Sequence, residues 1–396
     1  MSLKYITASV VLSLVFSCGT DSFELSMSNE NWKEFNENVI LLEDKVIQLP
    51  LDDKTGFWHY SMAVDQASDG DKLSFLNPLN NSLYVYDLDN SVLKSKTPFD
   101  KEGPNGTGSL NLAYHKFISP DSILVFNMWQ GVLYLNNIEG EVSWKLPLID
   151  RKIEGIIPNP EPSLSAPMIL MNNKLYITCS IDRYEENYAG RKSVMTFDMS
   201  TKVIDYIIDY PAIYSQAYWG SVFKYVPSID LGLDRNSLVV NFPVDPWIQK
   251  IDDEGEVLSI HYEVSSHIDK IDPLDPDVKT AVRVNHNVAN QEKKEYSLTN
   301  SDFNKIISDP YNNLYYRVAY IRPTLEKLRS GTPTPDFSIS ILNKEFEKVG
   351  EKFFDGSVYR ASMVFSGKGG LYIGRSDLYS KDEDTMSFSL MTLNRK

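Results

Sequence analysis

One short pattern returns six times along this chain, and no other feature limits its fold as much. Each copy opens on an apolar five-residue run: Leu73–Asn77, Ile123–Asn127, Lys174–Thr178, Ser237–Asn241, Asn313–Arg317 and Gly370–Gly374. A second apolar run follows and ends in a polar turn, as at Asn137–Gly140 and Asp252–Gly255, and a third run follows the turn. A further apolar stretch, such as Lys116–Ile118, precedes each copy. Four strand-like segments at intervals of about 45 to 75 residues predict a β-propeller blade, and six copies predict six blades. The alternative is a mixed β-domain without true repeats.

The two chain ends bear on closure. The sixth copy reaches Lys396 without its last run, while a lone run, Lys45–Leu51, precedes the first copy. Its pattern matches the closing runs, as in Trp144–Leu148. Pairing the two would remove both sheet edges. The expectation is an all-β, six-bladed propeller over residues 39–396, closed by an N-terminal strand that completes the last blade. Its 47 aromatics (23 Tyr, 18 Phe, 6 Trp) suit strands better than helices.

Residues 1–17 read as a secretory signal. Lys4 is its cation and Ile6–Phe16 its apolar stretch, which at eleven residues is too short to span a bilayer. It ends in Val15-Phe16-Ser17-Cys18, a bacterial lipobox pattern in which Phe16 is the departure from the usual small or aliphatic residue. The expectation is a lipid on Cys18, a polar tether over residues 18–38 and a membrane contact through that lipid alone. The plainer reading is an ordinary signal peptide with an incidental cysteine. Cys179, the other of two cysteines, lies in an apolar run with no nearby His and reads as a buried thiol.

The formal charge of −15 argues against nucleic acid, whose binders need a basic face. None of the five His residues (His59, His115, His261, His267, His286) forms a metal-ligand pair by spacing. The acidic stretch Asp269–Asp277 lacks the alternation of a calcium loop. No metal or cofactor is expected. Phosphate-binding glycine loops and nucleophile elbows are missing as well.

Propellers take ligands where the innermost strands begin. Counting back from each copy places Trp58-His59-Tyr60, Tyr114-His115-Lys116, Tyr218-Trp219-Gly220, Phe303-Asn304-Lys305 and Tyr359-Arg360-Ala361 at those starts. The third blade offers Pro162-Ser163-Leu164. The candidate ligand-binding set is therefore His59, Tyr60, His115, Trp219, Lys305 and Arg360, with His59 and His115 at matching places in neighbouring blades. Aromatic faces with a few cations suit a small organic, sugar or peptide ligand. The bland reading is packing between blades. Long inserts at 179–192, 265–300 and 318–335 are further places for function.

The lipobox, the acidic tether, the six irregular blades and Tyr315-Tyr316-Arg317 together resemble the six-bladed propeller lipoproteins of unknown function, TolB-like in architecture, found in Bacteroidota. The resemblance implies a cell-envelope protein and transfers no catalytic residue. The expected role is non-enzymatic binding of a peptide, glycan or protein by a monomeric propeller. The alternative is an envelope hydrolase or lyase working at the channel mouth with His59, His115 and Arg360.

Overall fold

The computed structural model describes residues 38–57, 59–67, 70–149, 158–180, 188, 190–220, 222–281, 286–331 and 334–395. Cys18, the signal and most of the tether lie outside them. Strand β1 (Val39–Pro50) comes first and stands apart from the sheet that follows it in sequence. Blade one is β2 (Met62–Ala67), β3 (Gly70–Asn77), β4 (Ser82–Asp87) and β5 (Val92–Pro98). Blade two is β6 (Ala113–Ser119), β7 (Ser122–Asn127), β8 (Val132–Asn137) and β9 (Val142–Pro147).

Blade three splits its inner strand into β10 (Asn159–Pro160) and β11 (Ile169–Met171), both paired with β12 (Lys174–Ser180); β13 (Lys192–Asp198) and β14 (Ile204–Asp209) complete it. Blade four is β15 (Ser228–Leu231), β16 (Leu238–Asn241), β17 (Trp247–Ile251) and β18 (Val257–Tyr262). Blade five is β19 (Asp302–Asp309), β20 (Leu314–Ile321), β21 (Asp336–Leu342) and β22 (Lys348–Phe354). Blade six is β23 (Tyr359–Gly367), β24 (Gly370–Arg375) and β25 (Thr385–Arg395), and β1 completes it. The pairing runs antiparallel from Val39 opposite Arg395 to Pro50 opposite Thr385, with a bulge at Glu43/Lys45. The closure read from the two chain ends is the one observed.

The core lies between blades. Six apolar clusters occupy the six blade interfaces. Alternation makes this possible: on β7, Ile123 and Val125 face blade one, while Leu124 and Phe126 face blade three. A strand buried on both faces needs apolar residues at every position, so it reads as a continuous run.

The polar turns are built by one device. Asp87, Asn137, Asp198, Asp252 and Asn343 each accept backbone N–H groups from the turn that follows, such as Glu139 and Glu141 on Asn137 Oδ1. Gly140 is needed there, because its φ is +87° and a Cβ would meet the Pro98 carbonyl oxygen at 2.2 Å.

A second device closes the strand ends. Asn77, Asn127 and Asn241, the last residues of β3, β7 and β16, donate through their amides to carbonyls of an adjoining connection or strand start. Arg317 holds the matching place in the fifth copy. Its guanidinium donates to Asn241 Oδ1 (2.7 Å), the Pro246 carbonyl (3.0 Å), the Asp245 carbonyl (2.7 Å) and Glu263. It also lies 3.7 Å over the Phe303 ring.

Among the described residues, α-helices occur only in connections: α1 (Ile213–Gln216), α2 (Pro276–Ala281), α3 (His286–Thr299), α4 (Leu325–Arg329) and α5 (Ser376–Tyr379). The sequence pattern pointed to no helix as long as α3. Its buried positions carry Ala289, Lys293 and Ser297 instead of large aliphatics, so no apolar period marks it.

Candidate functional site

The six inner strands form the wall of the central channel, each next to its neighbour in the order β2, β6, β11, β15, β19, β23 and back to β2. All run from one mouth to the other, so the blades' connections sort by face. The face where the inner strands begin carries the connections from β14 to β15 and from β18 to β19 between blades, and from β20 to β21 and from β24 to β25 within them. Among the described residues the opposite face has no connection longer than the six residues 232–237. The inserts expected within blade five and between blades four and five are present over their described residues; most of the one expected within blade three lies outside the described residues. The segment 210–227, with α1, and α5 in blade six were not anticipated. The Glu295–Arg329 ion pair (2.9 Å) joins α3 to α4 on this face.

Inside the channel, on the half nearer that face, lies a small pocket of about 20 Å³. Met62, Ala63 and Val64 of β2, Leu164 of blade three, Lys305 of β19 and Ser362 to Phe365 of β23 wall it. Lys305 Nζ donates to the Val364 carbonyl at 2.8 Å. Burial pulls the Lys305 ammonium down to about 8, against the attraction of Asp230. Lys305 and Asp230 are densely surrounded yet keep some solvent contact, as side chains facing a narrow channel do.

Asp230 accepts the backbone N–H groups of Leu231 and Ser308, both at 2.8 Å, and burial raises its carboxyl. On the other side of the channel Lys116 and Asp65 form an ion pair at 3.0 Å. Arg360 Nε donates to Ser362 Oγ at 3.0 Å, and burial pulls the guanidinium down to about 10.

Three residues of the sequence-derived set lie on or just before the inner strands of blades one, five and six. Lys305 walls the pocket, Arg360 binds a pocket residue, and Tyr60, 56% exposed, precedes the start of β2. The other three are packing residues, which corrects their expected place. His115 lies between the hydroxyls of Ser61 (Nδ1, 2.7 Å) and Ser74 (Nε2, 2.7 Å). His59 stacks on Phe75 and bonds the Leu76 carbonyl through Nδ1. Burial pulls both imidazoles down to about 4.

The two histidines are not equivalent. His115 faces Val125, two residues before Asn127, and the residue facing the same place before Asn77 is Met62. Trp219 is fully buried, and its indole N–H donates to the Ile213 carbonyl. It lies nine residues before β15, with the turn Val222–Lys224 between them, so counting back overshot the strand. The inner-strand residue of blade four is Asp230, which sequence reasoning missed. Its one signal was a lone acid in the run Ile229-Asp230-Leu231. Trp58 lies outside the described residues.

Among the described residues no group of three His, Cys, Asp or Glu could hold a metal ion. Cys179 is buried in β12, and burial pushes its thiol well up.

Comparison with known proteins bears on the family and the fold. The model of DUF4221, a domain of unknown function, matches residues 38–353. A solved member of that family from Bacteroides vulgatus is 21% identical with a TM-score of 0.74, the match covering 91% of this chain and 100% of that one. A solved Bacteroides fragilis protein with "exported" in its name is 12% identical with a TM-score of 0.54, covering 91% and 96%. No curated protein matches the chain.

Proposed function

The chain belongs to the DUF4221 family, and from that premise we propose that it is a binding propeller of the cell envelope whose ligand enters at the long-loop mouth. One observation carries this reading. Among the described residues the long connections stand on the face where the pocket-lining inner strands begin, while those on the opposite face are short. Loops held by a rigid scaffold around a concavity are where proteins place recognition. Exposed side chains on that face add to it: Trp129 at 67% and Phe223 at 71% stand on its turns.

Binding is favoured over hydrolysis by how the imidazoles are held. A general base must reach its substrate. His115 spends both nitrogens on serines inside the packing, and His59 lies stacked in a blade interface.

The envelope placement is supported by the apolar run Ile6–Phe16 and by Ser17-Cys18. No helix among the described residues is long and apolar enough to cross a membrane. The proposed anchor is a lipid on Cys18. Cys18→Ser should move the protein from the membrane to the soluble fraction; a variant that stays membrane-bound refutes the anchor.

The binding reading is tested by a thermal-shift screen of peptides and glycans. It is repeated on Met62→Trp, which fills the pocket, and on Trp129→Ala/Phe223→Ala. Hits lost in either variant support the reading. Hits indifferent to both place binding elsewhere and overturn it.

A further inference from the structure

We propose that the outer edge of β18, Val257–Tyr262 in blade four, takes an extended peptide as a fifth strand, its aliphatic side chains along Val257, Leu258 and Ile260 and its basic end beside Asp253 and Glu256. This surface goes beyond the binding reading above: it lies on the side of the ring and is separate from the long-loop mouth.

Each blade ends in an outer strand with one unpaired edge: β1, β5, β9, β14, β18 and β22. Such an edge is a template for a further strand, and folded proteins blunt it with charges or proline. Five of the six are blunted. β1, β14 and β22 carry charged residues, such as Lys45, Asp205 and Lys352. β5 and β9 carry lysine and proline, such as Lys94 and Pro147. β18 reads Val-Leu-Ser-Ile-His-Tyr, with no Lys, Arg, Asp, Glu or Pro. It has a bulge near its start, as β1, β5, β9 and β22 also do, so the bulge does not set it apart.

The aliphatic side chains of β18 are left in solvent. Val257 is 50% exposed, Leu258 56% and Ile260 53%, whereas each other outer strand has at most two large apolar residues in this state. His261 is committed to its surroundings: its ring stacks on Phe346 at 4.4 Å, and Nε2 meets Ser259 Oγ at 2.8 Å. What this edge offers is therefore main chain and hydrocarbon. Strand addition uses those two, main-chain hydrogen bonds for affinity and alternate side chains for specificity.

Charge selects the occupant. The turn that leads into β18 is Asp252-Asp253-Glu254-Gly255-Glu256. Asp252 accepts the N–H groups of Glu254 and Glu256, and Glu254 pairs with Lys174 of blade three. Among the described residues no cation pairs with Asp253 or Glu256. The formal charge of −15 opposes a second copy of the chain at this edge. An antiparallel pair of two β18 strands would also bring each acidic turn to the other's Tyr262-Glu263. A peptide with Lys or Arg at its C-terminal end answers the turn instead, because antiparallel addition sets that end beside the start of β18. Six peptide residues, about 20 Å, cover the strand.

The experiment is fluorescence anisotropy on the full chain with the probe fluorescein-Thr-Val-Thr-Val-Thr-Val-Arg-Lys-amide. It should bind tenfold or more tightly than the same peptide ending in Glu-Asp, and than one with proline for the middle valine. Ile260→Lys and Leu258→Lys should each weaken it tenfold or more, with their folds checked by circular dichroism. Trp129→Ala/Phe223→Ala should leave it unchanged; a loss there would move the peptide to the mouth, overturning this site and supporting the other. No binding at 1 mM, equal binding of the proline or the acidic peptide, or binding indifferent to both lysine variants overturns the proposal and leaves the mouth standing. A dimer in sedimentation equilibrium that Ile260→Lys breaks would overturn it too, since a second copy would then cover the edge.

Discussion

Replacing Arg317 by Met is the sharpest test of how the loop face is held. The guanidinium is fully buried between blades four and five. It satisfies Asn241 Oδ1, the carbonyls of Asp245, Pro246 and Glu263, and one oxygen of the Glu263 carboxylate at 3.3 Å. Methionine fills most of the space and donates nothing. Three buried backbone carbonyls, the Asn241 amide oxygen and a carboxylate then lose a donor. Lys348 Nζ, 3.6 Å from Glu263 Oε1, keeps part of the carboxylate's compensation. Removing one partner of a buried ion pair costs about 3–5 kcal/mol. Orphaned acceptors cost about 1–3 kcal/mol each, less than additively in a shared network. We expect about 4 kcal/mol. With an unfolding entropy of about 2 cal/mol/K per residue, that lowers the melting temperature of a unit this size by about 5 °C. Calorimetry reads it directly, and adding Glu263→Gln should restore part of the loss. A single variant melting within about 1 °C of the parent would refute the argument that Arg317 pins residues 242–246.

Three further outcomes follow from buried groups. Burial pushes the Asp245 carboxyl up to about 6, against the Trp247 N–H and Arg317, so its contribution to stability is present below about pH 4 and lost as pH rises through 6. Asp245→Asn should therefore gain up to about 3 kcal/mol at pH 7.5 and nothing at pH 4, read from urea midpoints; an equal gain at both would exclude the ionisation. His115, pulled down to about 4 by burial, works in the other direction: its contribution is present above about 6.5 and lost as pH falls through 4. His115→Gln should flatten the acid limb of the stability profile, and an unchanged limb would show that His115 does not titrate on unfolding. On the closing strand, Leu49 is fully buried and Leu42 is 44% exposed. Leu49→Ala should cost about 2–4 kcal/mol against under about 0.5 for Leu42→Ala, and equal costs would mean that the blade-six interface does not carry the closure.

Much of the fold was legible because its devices repeat. The residue ending each opening run is Asn77, Asn127, Thr178, Asn241, Arg317 or Gly374, and the side chains of five of the six donate to an adjoining segment. The Asp or Asn opening each polar turn is as regular. These contacts are local or one blade away, so each copy must carry its own. The inner strands of the third and fourth blades were hidden for the opposite reason. Blade three breaks its strand in two, and blade four has only Ser228–Leu231 after a helical insert. Neither leaves a run long enough to show a period.

The site was half legible, and the division has a physical cause. Lys305 stood out because a cation inside the run Phe303–Ile307 must point into a channel or find a counter-charge. Its environment could not be read, since Asp230 lies 75 residues earlier and Ser362 57 later. The histidines misled because a neutral imidazole can serve as a polar packing residue, and sequence does not tell a clamped ring from a free one. His115 is held by Ser61 and Ser74, small residues with no pattern of their own. Closure adds a last constraint. A ring locked by β1 on β25 resists moving one blade against another, so adaptation to a ligand falls to the connections. Among the described residues they are long on the face where the pocket-lining inner strands begin.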